Sequence, residues 1–229
     1  MKVLAVLLVL LLGLGLLLDR VAVGVAEGQV AQQLAARGQL PGEPDVDIRG
    51  FPFLTQAVGG RYDDVHVSLT AEQLGRPAGT TADVVLRGVR LPLSTVLSGE
   101  VREVPVDRLD GTATLSYELL ADELGGNTTV RREGDGLRIT RTVELLGYSL
   151  PLTAVGTVRL DGDEVVVDVE EAAGAGVDVP GFLVGRAADL LDLRYRVELP
   201  FGLRLTGVTP ADDGVEVRAQ ARDTVLTAE

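Results

Sequence analysis

The sequence predicts an α+β fold: one long N-terminal helix, then a strongly curved, mainly antiparallel sheet wrapped around it. Three observations predict this. Up to Gly38 the apolar residues follow helical spacing, after Pro41 they alternate with polar ones, and short Asp/Gly clusters separate the alternating runs. Alternation buries one face of a strand, and tight Asp/Gly turns reverse the chain between neighbouring strands, so the pairing is antiparallel.

The helix comes first. "MKVLAVLLVLLLGLGLLLDR" holds one cation, Lys2, before an uncharged apolar run from Val3 to Leu18. That run is long for a signal-peptide core and short of the roughly 20 residues of a relaxed membrane span. Lys2 inside and the remainder outside obeys the positive-inside rule. Residues 1–19 therefore read as a signal sequence or membrane anchor, and residues 20–229 as a single domain. The helix continues through "VAVGVAEGQVAQQLAARG", with Val23, Ala26, Val30 and Leu34 on one face and Gly38 as its C-cap. Gly24 and Ala26 offer small residues before a cut at Glu27, but that cut would remove a third of the amphipathic segment. The expectation is an uncleaved anchor or a cut near Arg20.

The strands follow. Residues 64–69, 137–145, 165–169, 193–199 and 215–221 alternate in period 2, and "EGDG" at 133, "DGDE" at 161 and "ADDG" at 211 read as hairpin turns. Residues 81–93 read as one strand on the order of 40 Å long. In "VPVDRLDGTATLS" the apolar phase slips, since Val104 and Val106 share one parity and Leu109, Ala113 and Leu115 the other; a β-bulge at Asp107 and Arg108 produces such a slip and bends the strand. Short helices are expected at "YELLADELGG" from Tyr117 and at "VPGFLVGRAADLLD" after Pro180.

Composition excludes several classes of function. The net charge is −13, and of 21 basic residues only Lys2 is lysine. With no basic run, the chain suits neither nucleic acid nor broad electrostatic attraction to an anionic surface. No cysteine is present, so disulfides and thiol chemistry are excluded. The single histidine, His66, sits on the polar parity of its strand and reads as solvated. No G-x-S-x-G elbow, P-loop or G-x-G-x-x-G cradle occurs. The carboxylate pairs Asp63/Asp64, Glu170/Glu171 and Asp212/Asp213 are adjacent in sequence and face opposite sides of a strand, and no Trp is present to stack a sugar. No catalytic residue, metal site or cofactor is expected.

Five stretches carry a resemblance: "LLLDRVAVGVAEGQVAQQL", "DVDIRGFPFLTQAVGGRYDDVHV", "LRGVRLPLSTVLSGEVREVPVDRLDGTATLSY", "GYSLPL" and "LPFGLRLTGV". In these the chain resembles the LmeA-like phospholipid-binding family of actinobacterial cell envelopes, with the Gly-Phe-Pro-Phe-Leu block followed by Gly-Arg-Tyr the most specific. The resemblance implies an exported protein that binds phospholipid, and the reading of the whole is a non-catalytic protein at the outer face of the cytoplasmic membrane. The resemblance also implies a tubular lipid-binding architecture that holds acyl chains inside, and a role in lipoglycan maintenance. It assigns no catalytic residue and no protein partner.

The candidate site follows from the residues. Burying acyl chains is worth about 0.8 kcal/mol per methylene, so an aliphatic wall suffices without a polar motif. In "RGFPFLTQAVGG" Pro52 ends a strand begun at Val46, and Phe51, Phe53 and Leu54 form either an apolar rim or a corner packed into the core. Phe182 and Leu183 follow Pro180–Gly181, and Phe201, with Leu203 beyond it, follows Pro200, so all four phenylalanines stand beside turn residues. Val85, Val89 and Leu91, with Leu145, Leu150 and Leu152, are the candidate aliphatic lining. Arg87 and Arg141 sit on apolar parities; they read either as lipid-phosphate ligands or as structural ion pairs and strand ends reaching solvent. The rival readings of the whole are an envelope scaffold with a packed interior that recruits a protein, and a carboxylate hydrolase acting on glycolipid.

Overall fold

The computed structural model describes residues 2–98, 101–125, 127–145, 148–162, 164–174, 193–196 and 199–227. Helix α1 spans Lys2–Gly38. Its end differs in detail from expectation: Gly38 is the last helical residue, and the left-handed position falls on Gln39 (φ 50°). A Cβ on Gly38 would lie 3.2 Å from Leu40 Cγ, a tight contact, because Leu40 folds back to donate its N–H to Ala35 O at 2.9 Å.

The strands sort into two sheets rather than one, and the fold is α+β and antiparallel as expected. The first sheet has the order β1-β2-β3-β4-β11-β10, formed by β1 (Asp45–Arg49), β2 (Arg61–Leu69), β3 (Thr81–Arg90), β4 (Glu103–Ser116), β10 (Arg204–Pro210) and β11 (Gly214–Thr227). The second is a meander in chain order: β5 (Thr128–Glu133), β6 (Gly136–Leu145), β7 (Tyr148–Asp161), β8 (Glu164–Gly174) and β9 (Leu193–Arg196). Helix α5 (Tyr117–Leu124) separates β4 from β5, and the strands after it pair with one another until β10. Neither order closes on itself.

The three Asp/Gly clusters make the expected hairpins, with Glu133 opposite Gly136, Asp161 opposite Glu164 and Pro210 opposite Val215. The phase slip in β4 is real: its buried apolar residues are Val106 and Leu109, of opposite parity. Its neighbour β3 slips too, from Leu86 to Val89, around Gly88 (φ 64°). A Cβ on Gly88 would meet Asp107 Oδ2 at 2.2 Å, so the absent side chain makes room for Asp107. Strand β3 stops at Arg90 rather than running to residue 93, because Pro92 cannot donate to a ladder and a short helix, α4 (Leu93–Ser98), begins behind it. Helices α2 (Phe53–Gly59) and α3 (Ala71–Leu74) were not expected either. The helix expected after Pro180 lies outside the described residues.

The chain divides into two compact units, one of Met1–Leu69, Asp83–Asp110 and Ala221–Glu229, the other of Thr70–Ala82 and Gly111–Gln220. In the second, Val130, Leu137, Ile139 and Val215 form the core, with Tyr117, Leu120 and Leu124 of α5 against it. Ser116 starts that helix by accepting the Leu119 N–H at 3.2 Å, and is itself reached by the buried Thr80 hydroxyl at 3.1 Å. The Tyr117 hydroxyl ties the helix to Ala211 O at 2.6 Å.

Candidate functional site

The first unit carries an exposed apolar corner where α1, β1 and α2 meet. The stretch 49–60 builds it. Strand β1 ends at Arg49, Gly50 turns in the left-handed region (φ 109°), the Phe51–Pro52 peptide is cis, and α2 begins at Phe53. Phe53 and Ala57, four apart, face inward; Leu54 and Val58, also four apart, face outward. Phe53 is 4% exposed and its ring lies 6.1 Å from that of Tyr62, whose hydroxyl pKa burial pushes up. Phe51 is 62% exposed and Val58 80%. Of the three residues read as a rim, then, Phe51 and Leu54 stand at the surface and Phe53 is the peg that seats the helix.

Gln56 fastens α2 to both neighbouring strands: its Nε2 donates to Arg49 O at 3.3 Å, and its Oε1 accepts the Asp63 N–H at 3.0 Å. Gly60 closes the helix in the left-handed region, and a Cβ there would sit 2.9 Å from Pro92 Cα. Pro52 offers no side-chain cap, so the first N–H groups of α2 need a partner from elsewhere. Asp19 of α1 supplies it. Its Oδ1 accepts the Leu54 N–H at 2.9 Å, its Oδ2 accepts from Arg20 Nη2 at 2.8 Å, and the residue is 2% exposed. The Arg20 guanidinium also lies over the Phe51 ring, 5.5 Å from its centroid. One turn further on, Val23 is buried, and Glu27 Oε1 accepts the Ile48 N–H of β1 at 2.9 Å.

Asp19, Arg20, Gln56 and Val58 were not singled out from the sequence. A signal existed: Asp-Arg is the first charged pair after the apolar run, and "FLTQAVGG" pairs apolar residues four apart before a glycine stop.

The arginines of β2–β4 form a second feature of the same unit. Arg61 and Arg90 share Asp107, the former at 2.8 Å. Arg87 and Arg108 share Asp110, at 3.1 and 2.8 Å. The Arg108 hydrogen bond, with Coulombic help from Arg108, Arg87 and Arg222, holds the Asp110 carboxyl below its usual range, and burial opposes this. Four guanidiniums thus converge on two carboxylates. Arg87 and Arg141, read from the sequence either as phosphate ligands or as structural pairs and strand ends reaching solvent, are both exposed; Arg87 is paired with Asp110, and its strand changes phase at Gly88, one residue on.

The remaining predicted residues divide between the units. Val85, Val89 and Leu91 lie with the corner in the first, with Val89 buried. Arg141, Leu145, Leu150, Leu152, Phe201 and Leu203 fall in the second. Leu145 ends β6 opposite Tyr148, and Leu150 and Leu152 lie in β7 opposite Val143 and Arg141; the side chains of these three leucines lie outside the described residues. Phe201 is exposed in a 3-10 turn (φ 59°). Phe182 and Leu183 lie outside the described residues. Among the described residues no group of three or more His, Asp or Glu side chains is placed to hold a metal ion.

Fold and corner together define an antiparallel α+β protein led by a helix long and apolar enough to cross a membrane, with exposed apolar residues beside that helix. The family model described as LmeA-like phospholipid-binding matches residues 17–220, and the chain belongs to that family. No curated protein and no solved structure matches it.

Proposed function

We propose that this chain is an exported, non-catalytic phospholipid-binding protein of the cell envelope, held at the outer face of the cytoplasmic membrane by α1, that shields acyl chains on its aliphatic strand faces and shuttles lipid. The observation that carries this reading is the family match across residues 17–220. Supporting it, Lys2 is the only cation before the apolar run, which orients the body outward. Phe51 and Leu54 are the rim, Val85 and Leu91 are aliphatic contacts of the first unit, and Leu145, Leu150, Leu152, Phe201 and Leu203 are those of the second. Arg87 is a headgroup ligand that shares its carboxylate with Arg108, so a phosphate is taken up without stripping Asp110 of its pairing. Arg141, exposed on β6, is the second such ligand.

The test is transfer of fluorescent phosphatidylglycerol between vesicles by the full-length chain reconstituted in the donors. The expected result is a severalfold rise over protein-free vesicles, reduced by Phe51→Ser with Leu54→Ser. No rise above the protein-free rate overturns the reading.

A further inference from the structure

The depth at which the body sits in a membrane follows from Asp19. The apolar run Val3–Leu18 spans about 24 Å at the helical rise, short of a hydrocarbon core of about 30 Å. Past Asp19 one face of α1 remains apolar and uncovered: Leu14, Leu18, Val21 and Val25, spaced 4, 3 and 4, are all more than half exposed. The opposite face, with Asp19 and Val23, is buried against the body. Counting to Val25, the lipid-compatible length becomes about 34 Å, enough for the core. The outer boundary of the hydrocarbon therefore falls beyond Asp19. Helix α2 is hydrogen-bonded to Asp19 and lies at that level.

We propose that α2 is an interfacial helix docked into the outer leaflet of the bilayer that α1 crosses, with Phe51, Leu54 and Val58 in the boundary between headgroups and acyl chains. This rests on the reading above that α1 anchors an exported body. The residues fit such a site. Helix α2 contains no charged residue, while Arg49 and Arg61 flank it in sequence and Arg20 stands over Phe51. Each of these guanidiniums already holds a carboxylate, on Asp47, Asp107 and Asp19, yet each side chain is more than half exposed and free to snorkel to phosphate. Asp19 is what makes the arrangement tolerable: a carboxylate at this depth is covered by the body and spends both oxygens on Leu54 and Arg20. The proposal requires that α1 is retained, since a cut before Glu27 would remove Asp19, Arg20 and Val23 from the corner they build.

The absence of cysteine from the sequence makes the test direct. Full-length Val58→Cys, Leu54→Cys and Arg37→Cys are labelled with bimane and reconstituted in phosphatidylglycerol–phosphatidylethanolamine vesicles. Arg37 lies roughly 27 Å along α1 from Asp19 and is the aqueous reference. Docking predicts that label at 58 or 54 is quenched severalfold more strongly than label at 37 by lipid with a doxyl group on the acyl chain, and severalfold less by iodide on both sides of the membrane. Iodide quenching at 58 and 54 equal to that at 37 overturns the proposal, even where lipid transfer is intact. Docked labels without lipid transfer leave this proposal standing and remove the transfer function. Far-ultraviolet circular dichroism confirms that each variant is folded, and the two α2 positions check one another.

Discussion

Phe53 and Phe51, two residues apart, should respond in opposite ways to the same truncation. A buried phenylalanine hides on the order of 200 Å², worth about 5 kcal/mol at about 25 cal/mol per Å². Phe53, 4% exposed and packed on Tyr62, should lose about 4 kcal/mol on conversion to alanine, within the usual range for a buried ring. Phe51 is 62% exposed, and its truncation forfeits a minor share of burial and the Arg20 contact, about 2 kcal/mol together. For a chain of this size each kcal/mol moves the unfolding midpoint by about 2–4 °C. The midpoint of thermal unfolding of the full-length chain in micelles, followed by circular dichroism, should therefore fall by roughly 8–16 °C for Phe53→Ala and by about 4–8 °C for Phe51→Ala. Lipid transfer should show the reverse order at temperatures where both are folded. Equal midpoint shifts, or a larger shift for Phe51→Ala, would refute the division of α2 into a seating face and a lipid face.

Further consequences concern the scaffold around the corner. Gly88→Ala places a methyl against Asp107 in a left-handed backbone and should cost about 2–3 kcal/mol, read as a lower urea midpoint with unchanged slope. Ser116→Ala removes the cap of α5 and the partner of the buried Thr80 hydroxyl; a loss of about 2 kcal/mol is expected in the same assay. The Asp110 carboxyl is held below its usual value of 3.8, so its contribution is complete above that pH and is lost as pH falls through the lowered folded value. Midpoints recorded from pH 6 to pH 2.5 should drop on the acid side, and Asp110→Asn should flatten that limb; an unchanged limb would show that other carboxylates govern it.

Elements with long-range periodicity were legible in the sequence, and those made by contact were not. The hairpins at 133, 161 and 211 were readable because their turn residues encode the reversal locally. The β4 slip was readable because parity is a property of one strand, but its match in β3 was not, since Gly88 is explained only by Asp107 across the sheet. The alternatives for Arg87 could not be separated for that same reason: one unrecognised phase change exchanges buried and exposed parities, and only the structure shows the guanidinium at the surface on Asp110. The stretch 49–60 announced a corner, but its seven-residue helix is too short to show a period, so the roles of Phe51 and Phe53 could not be separated. Asp19 was invisible as a cap because its partner is 35 residues away.

Native mass spectrometry of the full-length chain, released gently from its own envelope, tests the central claim most directly. The account predicts a chain mass that retains all of α1 and carries one or more phospholipid adducts, depleted in the Phe51→Ser, Leu54→Ser variant. A chain that flies empty under conditions that preserve lipid on other membrane proteins would contradict it.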